Sequence, residues 1–201
     1  NDSWIFEPPE KYYFRNVYLR AWQGINYLVS RPDVDPKRIV VVGGSQGGRL
    51  SIVVSALDQR VAAAVVAIAN SPNWPHLRWV TRLNGYAMPG DKNPDPGLVL
   101  GDGMDVAGAP PVFSEPADRC MAYYDPMNFA PDAQCPVMFN AGLIDPVSPP
   151  YSVFAAFNRW GGKEKIMVSL DGLGHDWCAE FDRRAFRWLD NILGIKKAGN
   201  N

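Results

Sequence analysis

The chain has only two histidines, three cysteines and almost no excess charge of either sign, with 20 Lys+Arg against 21 Asp+Glu among its 201 residues. Balanced charge removes the electrostatic basis for binding nucleic acid or an anionic membrane surface, so the expected partner is a small, uncharged molecule. No apolar run approaches the roughly 20 residues of a membrane-spanning helix, and the opening Asn1-Asp2-Ser3-Trp4 is not a secretion signal. The sequence predicts a soluble chain, cytoplasmic or secreted. Cys120, Cys135 and Cys178 are odd in number and lack zinc-like spacing, which argues against a disulfide framework and a metal site. None lies in a glycine-rich turn, so inert buried thiols are expected rather than a catalytic cysteine. There is no internal repeat. There is also no initiator Met, and the chain reads as a fragment or a processed piece.

Apolar residues make up 47% of the sequence, enough for one domain, residues 1–201, around a single core. Tyr13 to Ser30 places Val17, Trp22, Ile25 and Leu28/Val29 at helical spacing, and Arg31-Pro32 ends that helix. Arg38-Ile39-Val40-Val41-Val42 is a β-branched run, predicted as a central parallel strand buried on both faces. It stops at Gly43-Gly44-Ser45-Gln46-Gly47-Gly48, after which Leu50, Ile52, Val53, Val54 and Leu57 supply a buried helix. Further strands are expected over Val61 to Ala69, Pro136 to Leu143 and Lys165 to Leu170, with helices over Ser152 to Trp160 and Phe181 to Leu193. This alternation implies an α/β fold whose mostly parallel sheet is covered on both faces. The segment from about 70 to 132 is rich in Pro, Gly, Asp and aromatics and weak in periodicity, and is expected to form a cap-like, partly helical insertion over the sheet.

Gly43-Gly44-Ser45-Gln46-Gly47 has the nucleophile-elbow pattern, in which serine occupies a sharp turn between strand and helix. Glycines at 43 and 47 are expected because that turn brings the two backbones together. A serine hydroxyl needs a base, and histidine has the suitable pKa. His175 follows the fourth strand and precedes the last helix, whereas His76, between Pro75 and Leu77 in the insertion, is assigned a structural or surface role. The base in turn needs a carboxylate to fix its tautomer. Asp145 follows the third strand directly, and the order Ser45, Asp145, His175 is the one an α/β-hydrolase uses. Asp171 and Asp176 are rivals by proximity and are assigned to a turn or a helix cap. Such a triad would form an acyl-enzyme on Ser45, with the backbone N–H of Gln46 donating to the oxyanion and no metal or organic cofactor required.

The stretches Tyr12-Tyr13-Phe14-Arg15, Pro32-Asp33-Val34-Asp35, Gly43 to Gly48, Tyr124-Asp125-Pro126-Met127-Asn128-Phe129-Ala130 and Gly142 to Pro150 together resemble the acetyl xylan esterase and cephalosporin-C deacetylase family, carbohydrate esterase family seven. The resemblance implies an α/β-hydrolase three-layer sandwich, a triad at Ser45, Asp145 and His175, a small acyl ester as substrate, typically acetyl on a sugar, and a homo-oligomer. Two departures stand out. The family's histidine is usually followed by glutamate, where this chain has Asp176 and then Trp177. The family's N-terminal half, with its first strands and an Arg-Gly-Gln motif, has no counterpart, so the second oxyanion donor is expected to be absent from this chain. A partner chain or an N-terminal segment would complete the fold. Trp74, Trp79, Tyr86 and Met88 of the insertion, and Trp177, are candidates to line an acyl or sugar pocket; the insertion aromatics equally suit packing of the cap onto the sheet. Two other readings remain at this point: a peptidase of the prolyl-oligopeptidase type, and a non-catalytic subunit that keeps the fold.

Overall fold

The structure, a computed structural model, describes residues 9–70, 72–74 and 116–195. Four strands, β1 (Ile39–Gly44), β2 (Val61–Ala67), β3 (Val137–Gly142) and β4 (Lys165–Leu170), form one sheet in the order β1-β2-β3-β4, every neighbouring pair parallel. Helix α1 (Tyr13–Ser30) leads into β1, α2 (Gln46–Leu57) links β1 to β2, α5 (Pro150–Arg159) links β3 to β4, and α6 (Ala179–Ile192) follows β4. Between β2 and β3 the described residues form α3 (Pro116–Tyr123), the single turn α4 (Pro126–Phe129) and a 3-10 turn at Ala130–Asp132. The sheet is parallel because helical crossovers return each strand in the same direction, which gathers all carboxyl ends at one edge.

The pleat of β2 explains the three layers. Ala64 and Val66 point to one face, where they pack with Ile52 of α2, Phe139 of β3, and Val153, Ala156 and Trp160 in and after α5. Ala63, Val65 and Ala67 point to the other, against Phe181, Ala185 and Leu189 of α6. Alternation with period two thus feeds two cores on opposite sides of the sheet, as the α/β-hydrolase fold requires. A third cluster, Tyr12, Tyr18, Val53, Trp74, Cys120, Met121 and Tyr124, joins α1 and α3 to α2. Residues 116–132, read from sequence as part of the insertion, therefore include side chains embedded in the body of the domain.

One strand differs from expectation. β1 pairs only with β2 among the described residues, and Val42 in its middle is 46% exposed. Its hydrophobic run reads as a strand buried on both faces, but among the described residues it is an edge, with an apolar groove of about 480 Å³ beside it lined by Tyr27, Leu28, Val41, Val42 and Leu50. A continuous β-branched run encodes a strand covered from both sides, and among the described residues Val42 has no such cover. No helix among the described residues is long and apolar enough to cross a membrane.

Candidate active site

Ser45 stands between β1 and α2 with φ 53° and ψ −116°, a conformation costly for any residue with a Cβ. The turn is this tight because β1 and α2 meet at Gly43, where an added Cβ would come within 2.3 Å of the Gly47 carbonyl. The second close approach is not at Gly47, as the five-residue pattern suggests, but at Gly48. A Cβ on Gly47 meets nothing within 4 Å, whereas one on Gly48 would lie 2.7 Å from the Ala67 carbonyl oxygen. The reason is that α2 leans on the end of β2 one residue further along than the motif implies.

The loops after β1, β3 and β4 open at the same sheet edge, and they bring together the three side chains the sequence singles out. His175 Nε2 lies 3.0 Å from Ser45 Oγ, and His175 Nδ1 lies 2.8 Å from Asp145 Oδ2. Asp145 is buried, and its other oxygen accepts from the backbone N–H groups of Val147 and Ser148, both at 2.8 Å. These two bonds fix the carboxylate plane, so the oxygen facing the imidazole cannot rotate away. A further bond, from Ile144 N–H to the Leu173 carbonyl at 3.2 Å, ties the acid's loop to the base's loop. In such an array the imidazole can take the serine proton while the carboxylate stabilises the resulting imidazolium.

The neighbouring candidates fall out differently. Asp171 lies in the turn after β4, as expected, but Asp176 caps no helix: α6 starts at Ala179, its N-cap is Cys178, and no side chain caps it. The residue before the helix, Cys178, is extended, with φ −120° and ψ 101°. Trp74 is buried in the third cluster, whereas Trp177 is 67% exposed and rests on the elbow, 3.3 Å from where a Cβ on Gly44 would be. His76, Trp79, Tyr86 and Met88 lie outside the described residues. All three cysteines are free, and burial pushes the Cys120 thiol up to about 11, which keeps it protonated and unreactive. No group of three or more His, Cys, Asp or Glu side chains suited to a metal occurs among the described residues.

Three buried polar residues behind the elbow escaped the sequence reading. Arg49, one turn after Ser45 and 2% exposed, donates to the Tyr18 hydroxyl and the Tyr124 carbonyl, with its guanidinium 3.8 Å from the centre of the Phe14 ring. Asp125, 1% exposed, accepts from the backbone N–H groups of Asn73, Trp74 and Met127, and so fastens the chain after α3 to the chain after β2. Asn140, 2% exposed, accepts from Ile68 N–H. Arg49 had a visible signal, the one charge in its helix, and Asp125 lies in one of the stretches that carry the family resemblance. Asn140 had none.

A family model for acetyl xylan esterase (AXE1) matches residues 4–88 and 111–192, most of the sequence. The chain belongs to the acetyl xylan esterase family. Among its relatives, "Acetyl esterase Axe7A" of Xylanibacter ruminicola is 36% identical over 188 residues, a stretch that is 90% of this chain and 37% of that protein. Two solved acetyl xylan esterases share the architecture. The one from Paenibacillus sp. R4 superposes with a TM-score of 0.73 at 26% identity, over 93% of this chain and 55% of that one. The one from Thermoanaerobacterium sp. JW/SL YS485 gives 0.74 at 25% identity, over 94% and 56%. The chain thus spans little more than half the length of these solved relatives and 37% of the Xylanibacter protein.

Proposed function

We propose that this chain carries the catalytic groups of a serine esterase that removes acetyl from acetylated carbohydrate through an acyl-enzyme on Ser45. The observation that carries the reading is the unbroken series from Ser45 Oγ through the imidazole of His175 to the Asp145 carboxylate, assembled from three separate loops at one sheet edge. Membership in the acetyl xylan esterase family supports acetyl as the acyl group.

In the proposed reaction Ser45 Oγ attacks the ester carbonyl carbon while His175 Nε2 takes its proton. The C–O bond to the sugar then breaks, and the departing sugar oxygen receives that proton. Water next gives a proton to His175 and attacks the acyl carbon; Ser45 Oγ leaves, recovers the proton, and acetic acid is released. The Gln46 N–H is the oxyanion donor in this reading, because the first N–H groups of α2 have no intrahelical acceptor and sit at the positive end of its dipole. The second donor is assigned to polypeptide lying along the open edge of β1, whose exposed Val42 and adjoining apolar groove suit such a cover. Trp177 offers an exposed aromatic face beside the elbow on which a sugar ring can stack.

The test is acetate release from acetylated xylo-oligosaccharide and from an activated aryl acetate by the full-length protein, with a prolyl peptide as control. Acetate release with acetyl recovered on Ser45 by mass spectrometry, and its loss by about 10³-fold or more in Ser45→Ala, is expected. Full turnover by Ser45→Ala, or cleavage of the peptide alone, would overturn the assignment.

A further inference from the structure

We propose that Asn140, in the middle of the sheet, is a positioning residue for the nucleophile: its side chain holds the turn that clamps the backbone of Ser45. This rests on the reading of Ser45 as the nucleophile.

The main chain of Ser45 is gripped on both sides by the end of β2 and the segment that follows it. Its N–H donates to the Ala67 carbonyl at 3.0 Å, and its carbonyl accepts from Asn70 N–H at 3.1 Å. Regular parallel pairing would bring the Ala69 N–H to that carbonyl, so between these two contacts the chain takes up one extra residue and bends. It does so at Ile68, which has φ 38°, in the left-handed region that a β-branched residue avoids. A conformation of this kind is strained and persists only where neighbouring groups hold it. The group that holds it is Asn140. The β2–β3 ladder ends at the pair Ala67 and Asn140, and just beyond it Ile68 N–H points at the Asn140 side-chain oxygen, 2.8 Å away. The same N–H lies 3.2 Å from the Asn140 backbone carbonyl, so the side chain supplies the shorter acceptor. Ile68 itself is 5% exposed, so no water is at hand to replace that acceptor.

The sequence of causes runs from Asn140 to the Ile68 peptide, from Ile68 to Asn70, and from Asn70 to the Ser45 carbonyl. Because Gly48 also packs on Ala67 and Ala69, the turn and the start of α2 move together. A turn that relaxes at Ile68 would therefore shift Ser45 Oγ relative to His175, and a displacement of about 1 Å is enough to slow a reaction that depends on alignment.

Asn140→Leu keeps the volume and removes the shorter, side-chain acceptor, leaving Ile68 N–H only the backbone carbonyl at 3.2 Å, while Asn140→Asp keeps an oxygen in the same place. In the full-length protein, acylation by an activated aryl acetate is followed in the pre-steady state and normalised to the number of titratable Ser45 sites. Asn140→Leu is expected to lower the per-site acylation rate by about tenfold or more with KM changed by less than about twofold, and Asn140→Asp to restore most of the rate. Amide hydrogen exchange at Ile68 and Asn70 is expected to quicken in Asn140→Leu and to return towards the parent rate in Asn140→Asp. A purely structural role would lower the number of active sites and the melting temperature but leave the per-site rate unchanged, and that result would overturn the proposal. If Asn140→Leu does not fold, Asn140→Ala with the same readouts takes its place. Should Ser45→Ala retain turnover, the catalytic reading itself falls; Ser45→Ala inactive with Asn140→Leu normal per site removes only the positioning role.

Discussion

Gly43 lies so close to Gly47 that a Cβ built on it would stand 2.3 Å from both the carbonyl carbon and the carbonyl oxygen of Gly47. No rotamer relieves that contact, since both partners are backbone. Gly43→Ala should therefore lower stability by about 3 kcal/mol or displace Ser45, and chemical denaturation with an activity assay reads either outcome. Gly47→Ala has open space at its Cβ and sits in the first turn of α2, so it should fold at least as stably as the parent. Equal tolerance of alanine at both positions would contradict the geometry.

Asp145→Asn tests the acid. The amide can keep the bonds from Val147 and Ser148 through its oxygen, but its NH₂ then faces His175 Nδ1 and selects the tautomer whose Nε2 carries a proton. Turnover should fall by about 10³–10⁴-fold with little change in KM and in melting temperature. A loss below tenfold would show that the carboxylate does not orient the base.

Arg49 tests the packing behind the elbow. Its planar fork serves two acceptors, the Tyr18 hydroxyl and the Tyr124 carbonyl, while its face stacks on Phe14. Lysine cannot reproduce that geometry. Arg49→Lys should cost about 1–3 kcal/mol in denaturant unfolding, because buried acceptors lose partners.

Asp125 gives a pH signature. Burial pushes its carboxyl up to about 6, against the downward pull of the bonds from Trp74, Met127 and Asn73 and of nearby Arg49. In the unfolded chain the same group titrates near about 3.9. The folded state thus binds the extra proton between these values, so this residue's contribution is fully present below about pH 4 and declines as pH rises through about 6. The slope from this group is at most about 1.4 kcal/mol per pH unit. Asp125→Asn should flatten the stability profile between pH 4 and 6, approximately the window set by the two pKa values. An unchanged profile would show that the carboxyl does not titrate there.

Much of the fold was legible because its signals are local. The run Ile39 to Val42, the glycines after it and the apolar periodicity of 50–57 specify strand, turn and helix in succession, and β4 and α1 have the predicted bounds. The three candidate catalytic residues were legible because each follows a strand of a parallel sheet, so chain order alone assigns them to one edge. Arg49, Asp125 and Asn140 were harder to read, because a buried polar residue has the same letter as an exposed one and its partners are distant: 75 positions separate Arg49 from Tyr124, 51 separate Asp125 from Trp74, and 72 separate Asn140 from Ile68.

Local sequence was sufficient for the order of strands and helices, for the tight turn around Ser45 and for the identity of the acid and base candidates, since propensity, steric exclusion and chain direction act over a few residues. Packing set the rest. That β1 is an edge among the described residues, that Gly48 rather than Gly47 bears the second close contact, and that the Asn140 side chain meets Ile68 N–H all depend on which distant segments meet, and only three-dimensional folding specifies those meetings.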